Sequence, residues 1–275
     1  MAYSQDLPAY RLYRADGTPV DFGAVVGEAA EANVVFFGEL HNNPIAHWLQ
    51  LELSRALHER KGKRLVLGAE MFEADNQLIL NEYLADLIAE KSFEEEARLW
   101  NNYATDYKPL VQLAKEEGLP FIATNVPRRY ANLVYRKGIG QLDSLPYGAR
   151  AYLAPLPIPI DPELPGYKKM AGMMGGHGGE ALAEQLVQAQ AIKDATMAHF
   201  IAAYYRPEDL FLHFNGAYHS ENREGIVWYL NRYRPGLNIV TLSTVEQDVI
   251  DSLEKAHQGK ADFLLVVPAS MTKTY

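Results

Sequence analysis

Six short apolar runs recur along the chain: Asn33–Gly38, Arg64–Met71, Pro120–Asn125, Leu210–Gly216, Asn238–Ser243 and Asp262–Val267. Each is unbroken rather than alternating, the pattern required of strands covered on both faces. Between them, Ile45–Leu57, Tyr107–Glu117 and Gly225–Tyr233 repeat apolar residues at helical spacing. Strands alternating with helices specify βαβ units, so the expected fold is α/β with a mainly parallel sheet flanked by helices. At 275 residues and 48% hydrophobic, the chain has material for one large domain with an insertion.

The rhythm breaks between residues 138 and 179. Pro146, Pro155, Pro157, Pro159, Pro162 and Pro165 interrupt regular structure, and a Met- and Gly-rich stretch, MAGMMGGHGG, follows. A helical stretch over Glu180–Tyr204 then leads back to the sheet. The reading is a smaller helical subdomain, residues 145–204, inserted before the fourth strand and dividing the α/β domain into 1–144 and 205–275.

Charge and composition narrow the function. The formal charge of −9 argues against nucleic-acid binding, which needs cations to neutralise phosphates. With no cysteine, disulfides, thiolate metal sites and cysteine nucleophiles are excluded. The longest apolar runs, such as Phe263–Val267, are far shorter than the ~20 residues of a membrane span, which points to a soluble protein. The start, MAYSQDLPAY, has no basic-then-apolar leader, compatible with a cytoplasmic protein or an exported one already trimmed.

Ligands of an open parallel sheet bind beyond the carboxyl ends of its strands, and here those ends are polar. Gly38-Glu39-Leu40-His41 follows the first run and Glu70 the second. Asn125 and then Arg128-Arg129 follow the third, and Gly216-Ala217-Tyr218-His219 the fourth. Imidazole and carboxylate suit zinc-like ions, making Glu39, His41, Glu70 and His219 a candidate set for a divalent metal. A hydrolase could use the same residues, a Glu as general base and Arg128 to hold negative charge. His47 lies one turn into a helix and can equally cap or pack. His213 is placed mid-strand as a core residue, and His58, His199 and His257 on solvent-facing positions.

These motifs carry a resemblance. VVFFGELHNNPIAHWLQLEL, GAEMFEADNQ, FIATNVPRR, AQAIKDATMA and HFNGAYHS, in that order, resemble the ChaN-like haem-binding lipoproteins of the Tiki superfamily over Tyr10–Val267. The paired G-x-x-H motifs, Gly38–His41 and Gly216–His219, mark that superfamily. The resemblance implies a parallel sheet with a smaller helical domain. It also implies a homodimer that binds haem at its interface as a non-catalytic carrier in iron acquisition. The Tiki branch implies instead a metal-dependent peptidase. In the haem branch a tyrosine holds the iron while a histidine and a lysine of the other subunit hold the propionates. The expected counterparts are Tyr167 for the iron, with Tyr147 and Tyr152 as substitutes, and Lys168, Lys169 and His177 for the propionates. Met170, Met173 and Met174 could floor a porphyrin. An exported, periplasmic or outer-membrane location and an outer-membrane haem receptor as partner follow from the resemblance, although the family's lipidated cysteine is absent from this sequence.

Overall fold

A computed structural model describes residues 7–174 and 179–275. Eight strands form one sheet in the order β2-β1-β8-β7-β3-β6-β4-β5. They are β1 (Arg11–Arg14), β2 (Pro19–Val20), β3 (Val34–Glu39), β4 (Leu65–Glu73), β5 (Phe121–Asn125), β6 (Leu210–Gly216), β7 (Ile239–Gln247) and β8 (Phe263–Pro268). The last six are parallel and carry the six apolar runs; β1 pairs antiparallel with β2 and β8. This α/β architecture is the one the sequence pattern requires. The β1–β2 hairpin was not legible, being too short to leave a periodic signal.

The helices are α1 (Phe22–Ala30), α2 (Pro44–Lys61), α3 (Gln77–Leu84), α4 (Glu90–Glu96), α5 (Lys108–Glu117), α6 (Arg128–Lys137), α7 (Tyr147–Arg150), α8 (Pro165–Met174), α9 (Gly179–Tyr204) and α10 (Ile226–Tyr233). They cover both faces of the sheet. On one side Val35, Phe37 and Leu67 pack with Val26 of α1, Leu49 and Leu53 of α2 and Val111 of α5. On the other, Val34, Phe36 and Phe211 pack with Val134 of α6, Ile192 and Ile201 of α9 and Leu230 of α10. Burial on both faces is why the strands read as continuous apolar runs. No helix among the described residues is long and apolar enough to cross a membrane.

The segment 145–204 shares this core. Leu153, Ala154 and Ile158 join the α9 residues in the apolar cluster that covers the sheet, so the insertion and the α/β layer are built around common side chains. Within its proline-rich part the chain still forms α8, starting at Pro165, where the missing amide hydrogen costs a helix little.

The chain order decides where a site can form. From β3 the chain passes to β4 and β5, returns to place β6 between β3 and β4, then crosses to the other side of β3 for β7. The ends of β3, β6 and β4 therefore lie at the reversal of strand order, where a crevice opens. Pairing in register sets Gly38 beside Asn215 and Glu39 beside Gly216.

Candidate functional site

Two buried networks meet at these strand ends. The first is centred on Glu39, almost fully buried at the end of β3. Its Oε1 accepts from His41 Nδ1 at 2.8 Å and from the Tyr107 hydroxyl at 2.7 Å. Its Oε2 accepts from Gln50 Nε2 at 2.5 Å. A π-helical turn over Tyr103–Tyr107 delivers Tyr107, a departure from α-helical winding often found at functional sites. His47 Nε2 lies 3.0 Å from the His41 carbonyl and 3.4 Å from Asp106 Oδ2, and Asn102 Nδ2 donates to the same two acceptors. Asn43 starts α2 beside this network, its Oδ1 accepting from the Ile45 and Ala46 amides at 3.1 and 3.0 Å, an ordinary N-cap.

His41 itself is not closed off, its side chain being 36% exposed. Burial would lower its pKa, but the Glu39 hydrogen bond and the nearby Glu70 and Glu39 charges outweigh that and raise it. The carboxylate fixes Nδ1 as the donor, leaving Nε2 as the imidazole atom free for a ligand. Behind it, burial and Glu39 push the Tyr107 phenol up, so it stays protonated and donates.

The second network is centred on His219, held between two carboxylates. Nε2 is 3.1 Å from Glu70 Oε1 and Nδ1 is 2.5 Å from Asp194 Oδ1. Glu70 Oε2 also accepts from the Gly216 amide at 2.8 Å, and Asp194 Oδ2 accepts from the Tyr167 hydroxyl at 2.8 Å. Burial alone would lower the imidazole, yet Glu70 and Asp194 together hold it up at about 10. Burial would likewise raise Glu70, but the His219 charge keeps its carboxyl well below the usual range. The result is a buried carboxylate–imidazolium–carboxylate triad.

Both networks border an open cleft of about 860 Å³ whose lining includes Glu39, His41, Glu70, Trp100, Asn125, Arg128, Met170, Lys193, Tyr218 and His219. A second hollow adjoins it, sharing Glu73, Trp100, Arg128, Asn132 and Tyr275. The expected strand-end residues therefore converge on one place. They do not converge as metal ligands. Among the described residues no group of three or more His, Asp or Glu side chains could hold a metal ion. Glu39 and His41 bond each other in one network, Glu70 and His219 in the other, so their donor atoms face one another. The expected divalent-metal site is not supported.

The haem residues expected from the insertion fall elsewhere. Tyr167 is 3% exposed, and burial together with Asp194 pushes its phenol up. It borders a separate hollow of about 510 Å³ beside α8 and α9. In this fold its hydroxyl is committed to Asp194 and does not reach the cleft. Lys168, at the same hollow, pairs with Glu163, and Lys169 is exposed on α8. His177 and the Met174 side chain lie outside the described residues. Of the substitutes, Tyr147 is 93% exposed on α7 and Tyr152 is half-buried. Of the three expected methionines Met170 reaches the cleft, while Met173 is exposed.

The other histidines sort by burial. His213 is fully buried between Thr124 and Asn215, and burial lowers it to about 4, so it is a neutral core residue. His47 is buried inside the Glu39 network. His58, His199 and His257 are half-buried rather than solvent-facing. Tyr107, Gln50 and Asp194 were missed. Only Asp194 left a signal, a lone carboxylate amid Ala191, Ile192, Ala195 and Met197 on a buried helix face.

An open α/β sheet with a half-enclosed polar cleft at its switch point is the frame of a small-molecule binding protein. The family is more specific. Residues 25–230 match the family described as haem-binding uptake, Tiki superfamily, ChaN, and the chain belongs to that family, whose members are haem-binding proteins. Among solved structures, ChaN of Campylobacter jejuni, determined with cofacially bound haem, superposes with a TM-score of 0.72 at 17% identity. That match covers 94% of this chain and 96% of the other. A Bacillus cereus protein gives a TM-score of 0.54 at 11% identity, covering 94% and 95%. The erythromycin esterase EreC in an open conformation gives 0.50 at 12% identity, covering 94% and 83%. At these identities the likeness is one of fold. No curated protein matches the sequence.

Proposed function

We propose that this protein is a haem carrier in iron acquisition, that it takes haem at the strand-end cleft, and that a second copy of the chain covers the ligand. The observation that carries the reading is the family match across 25–230; the lining of the cleft supports it. Val126, Met170, Leu186 and Trp100 supply apolar lining, and Arg128 and Lys193 supply positive charge, the two features a flat dicarboxylate needs. The cleft is half-open, and a porphyrin seated there would leave one face to water, which a partner subunit would shield. An exported, periplasmic or outer-membrane setting, with a haem receptor as donor or acceptor, belongs to this reading.

The iron ligand within it is Tyr218 rather than Tyr167. Tyr218 lines the cleft, is 36% exposed and donates only to the Gly166 carbonyl. Burial and the nearby Asp194, Glu224 and Glu221 raise its phenol to about 12, so ferric iron must displace the proton, as metals do on binding. The alternative donor is His41 Nε2, oriented by Glu39 as ligating histidines are by carboxylates. A haemin titration followed by absorbance tests this. Wild type and Tyr167→Phe are expected to saturate with the same ferric spectrum, and Tyr218→Phe to lose it. Loss in His41→Ala with Tyr218→Phe intact transfers the iron to the imidazole. No saturable binding in wild type refutes the carrier reading.

One observation favours a second reading, hydrolysis at the same cleft. A carboxylate holding Nδ1 of a partly exposed imidazole is the arrangement of a general base. Hydrolysis of p-nitrophenyl acetate by wild type, abolished in both His41→Ala and Glu39→Gln, would support it; equal rates in all three would remove it.

A further inference from the structure

One glycine joins the inserted segment to the second G-x-x-H turn. Gly166 lies in the first turn of α8, and both polar atoms of its main chain are taken by the segment that connects β6 to α10. Its amide donates to Glu224 Oε2 at 2.6 Å, and its carbonyl accepts from the Tyr218 hydroxyl. A helix leaves its first amides unpaired, and a carboxylate placed there also meets the positive end of the helix dipole. The fit is close. A Cβ at position 166 would lie 2.8 Å from Glu224 Oε2 and 3.6 Å from the Tyr218 oxygen.

The two sides of this contact are unequally fixed. On the β6–α10 side, Asn222 and Arg223 have φ of 56° and 57°, left-handed backbone that residues other than glycine keep only where their surroundings hold it. The Asn222 amide donates to the Lys260 carbonyl at 2.6 Å, and the Arg223 guanidinium bonds both Asp262 oxygens at 2.8 and 2.7 Å. α8 has less to hold it. Its Tyr167 and Ala171 join Val187 and Ala191 of α9 in a small cluster apart from the two that cover the sheet, and Tyr167 bonds Asp194. The helix also stands between two spaces, with Met170 lining the strand-end cleft and Lys168 and Ala171 lining the hollow toward α9. Of the two sides, α8 is the one able to yield.

We infer that Tyr218, Gly166 and Glu224 form a latch, closed in this structure, and that ferric iron taken by the Tyr218 oxygen opens it and loosens α8. The inference rests on the reading of Tyr218 as the iron ligand. The reason is competition for one atom. On iron the tyrosine oxygen is a phenolate that has given up its proton, and a phenolate cannot donate to the Gly166 carbonyl. The Glu224 contact and the small cluster remain, so α8 loosens without departing. Linkage makes the effect reciprocal, so that weakening the latch strengthens iron binding. The net worth of an ordinary hydrogen bond sets the factor at about twofold to tenfold.

Hydrogen exchange over α8 and porphyrin titrations test this on wild type, Gly166→Ala, Glu224→Ala and Tyr218→Phe. Gly172→Ala is the control, a position on the same helix where a Cβ meets nothing within 4 Å. At position 166 the added methyl group meets the mobile end of a side chain, so the fold is expected to hold, and circular dichroism melting checks it. Metal-free protoporphyrin supplies the same ring and carboxylates with no iron for Tyr218 to bind. In wild type, haemin is expected to speed α8 exchange about twofold to tenfold relative to protoporphyrin. Gly166→Ala and Glu224→Ala are expected to speed it without any porphyrin. They should also raise the ratio of haemin to protoporphyrin affinity by about the same factor, while Gly172→Ala does neither. Loss of the haemin spectrum in Tyr218→Phe, with wild-type α8 exchange the same under both porphyrins, leaves the ligand reading standing and overturns the latch. An affinity ratio unchanged in both Gly166→Ala and Glu224→Ala overturns it equally. A wild-type haemin spectrum in Tyr218→Phe, or no haemin binding in wild type, refutes the ligand reading and the latch with it.

Discussion

Asparagine at position 194 would copy the shape of the aspartate and remove its charge, leaving His219 with one carboxylate in place of two. Asp194 Oδ1 is 2.5 Å from His219 Nδ1, and its Oδ2 accepts from Tyr167 at 2.8 Å. Breaking a buried ion pair by removing one partner costs about 3–5 kcal/mol. Asp194→Asn keeps the Tyr167 acceptor and Glu70 still faces the imidazole, so the low end, about 3 kcal/mol, is the expectation. For a domain of this size that lowers Tm by about 6–12 °C. The pH dependence is the sharper test. Folded His219 titrates at about 10, above the ~6.5 of an unfolded histidine. Its contribution is therefore complete below the unfolded value and is lost as pH rises toward the folded one. The Tm gap between wild type and Asp194→Asn should be widest below pH about 6.5 and narrow steadily toward pH about 10. Melting by circular dichroism across that range, with the His219 ring followed by NMR, measures both. A gap that is absent, or that widens as pH rises, refutes the assignment of Asp194 as the counter-charge.

A methyl group at Gly38 would lie 2.9 Å from the Ala217 Cα and 3.1 Å from the Leu242 carbonyl oxygen. Both are backbone atoms that cannot turn aside, so Gly38→Ala should cost about 1–3 kcal/mol in urea unfolding; an unchanged midpoint counts against the packing. Glu39→Gln removes the carboxylate charge that, together with Glu70, outweighs desolvation at His41. The His41 pKa should fall, so the ring is neutral over more of the range below pH 7, and an unmoved NMR titration contradicts the pairing. Tyr107→Phe takes one of three donors from a buried carboxylate and should destabilise by about 1.5–3 kcal/mol, the worth of a hydrogen bond to a charged group, on thermal melting.

What could be read from the sequence follows from the range of the interactions. Strands such as Val34–Glu39 and Leu210–Gly216 declare themselves because burial on both faces leaves a local, unbroken apolar signature. The glycine, glutamate and histidine at their ends are legible as a site because the switch-point rule converts strand ends into spatial neighbours. Pairing is another matter. Glu39 meets Tyr107 across 68 residues and Gly216 meets Glu70 across 146, and composition holds no trace of such contacts. The setting of Tyr167 is hidden for the same reason. Beside two lysines it reads as an exposed ligand candidate, but α8 turns it inward onto an aspartate 27 residues away. A divalent metal is plausible from the ligand types but is not supported by the geometry, in which each of the two imidazoles contacts a carboxylate.

The repeated G-x-x-H motif has a mechanical explanation in this fold. Because β3 and β6 are adjacent, parallel and in register, the two motifs lie side by side. The glycine of each admits part of the other. A Cβ at Gly38 would strike Ala217, inside the second motif, and one at Gly216 would come within 2.8 Å of the His41 ring, which closes the first. His41 can therefore lie flat over the β6 backbone, toward Glu70, only while position 216 has no side chain. The Gly216 amide meanwhile fixes Glu70, and Glu70 fixes His219. The two histidines are thus set by one interlock and end in opposite states, His219 locked inside an ion triad and His41 half-exposed with one nitrogen free. Gly216→Ala should accordingly displace His41 and impair any ligand of the cleft more than it harms stability, whereas damage to the triad should do the reverse.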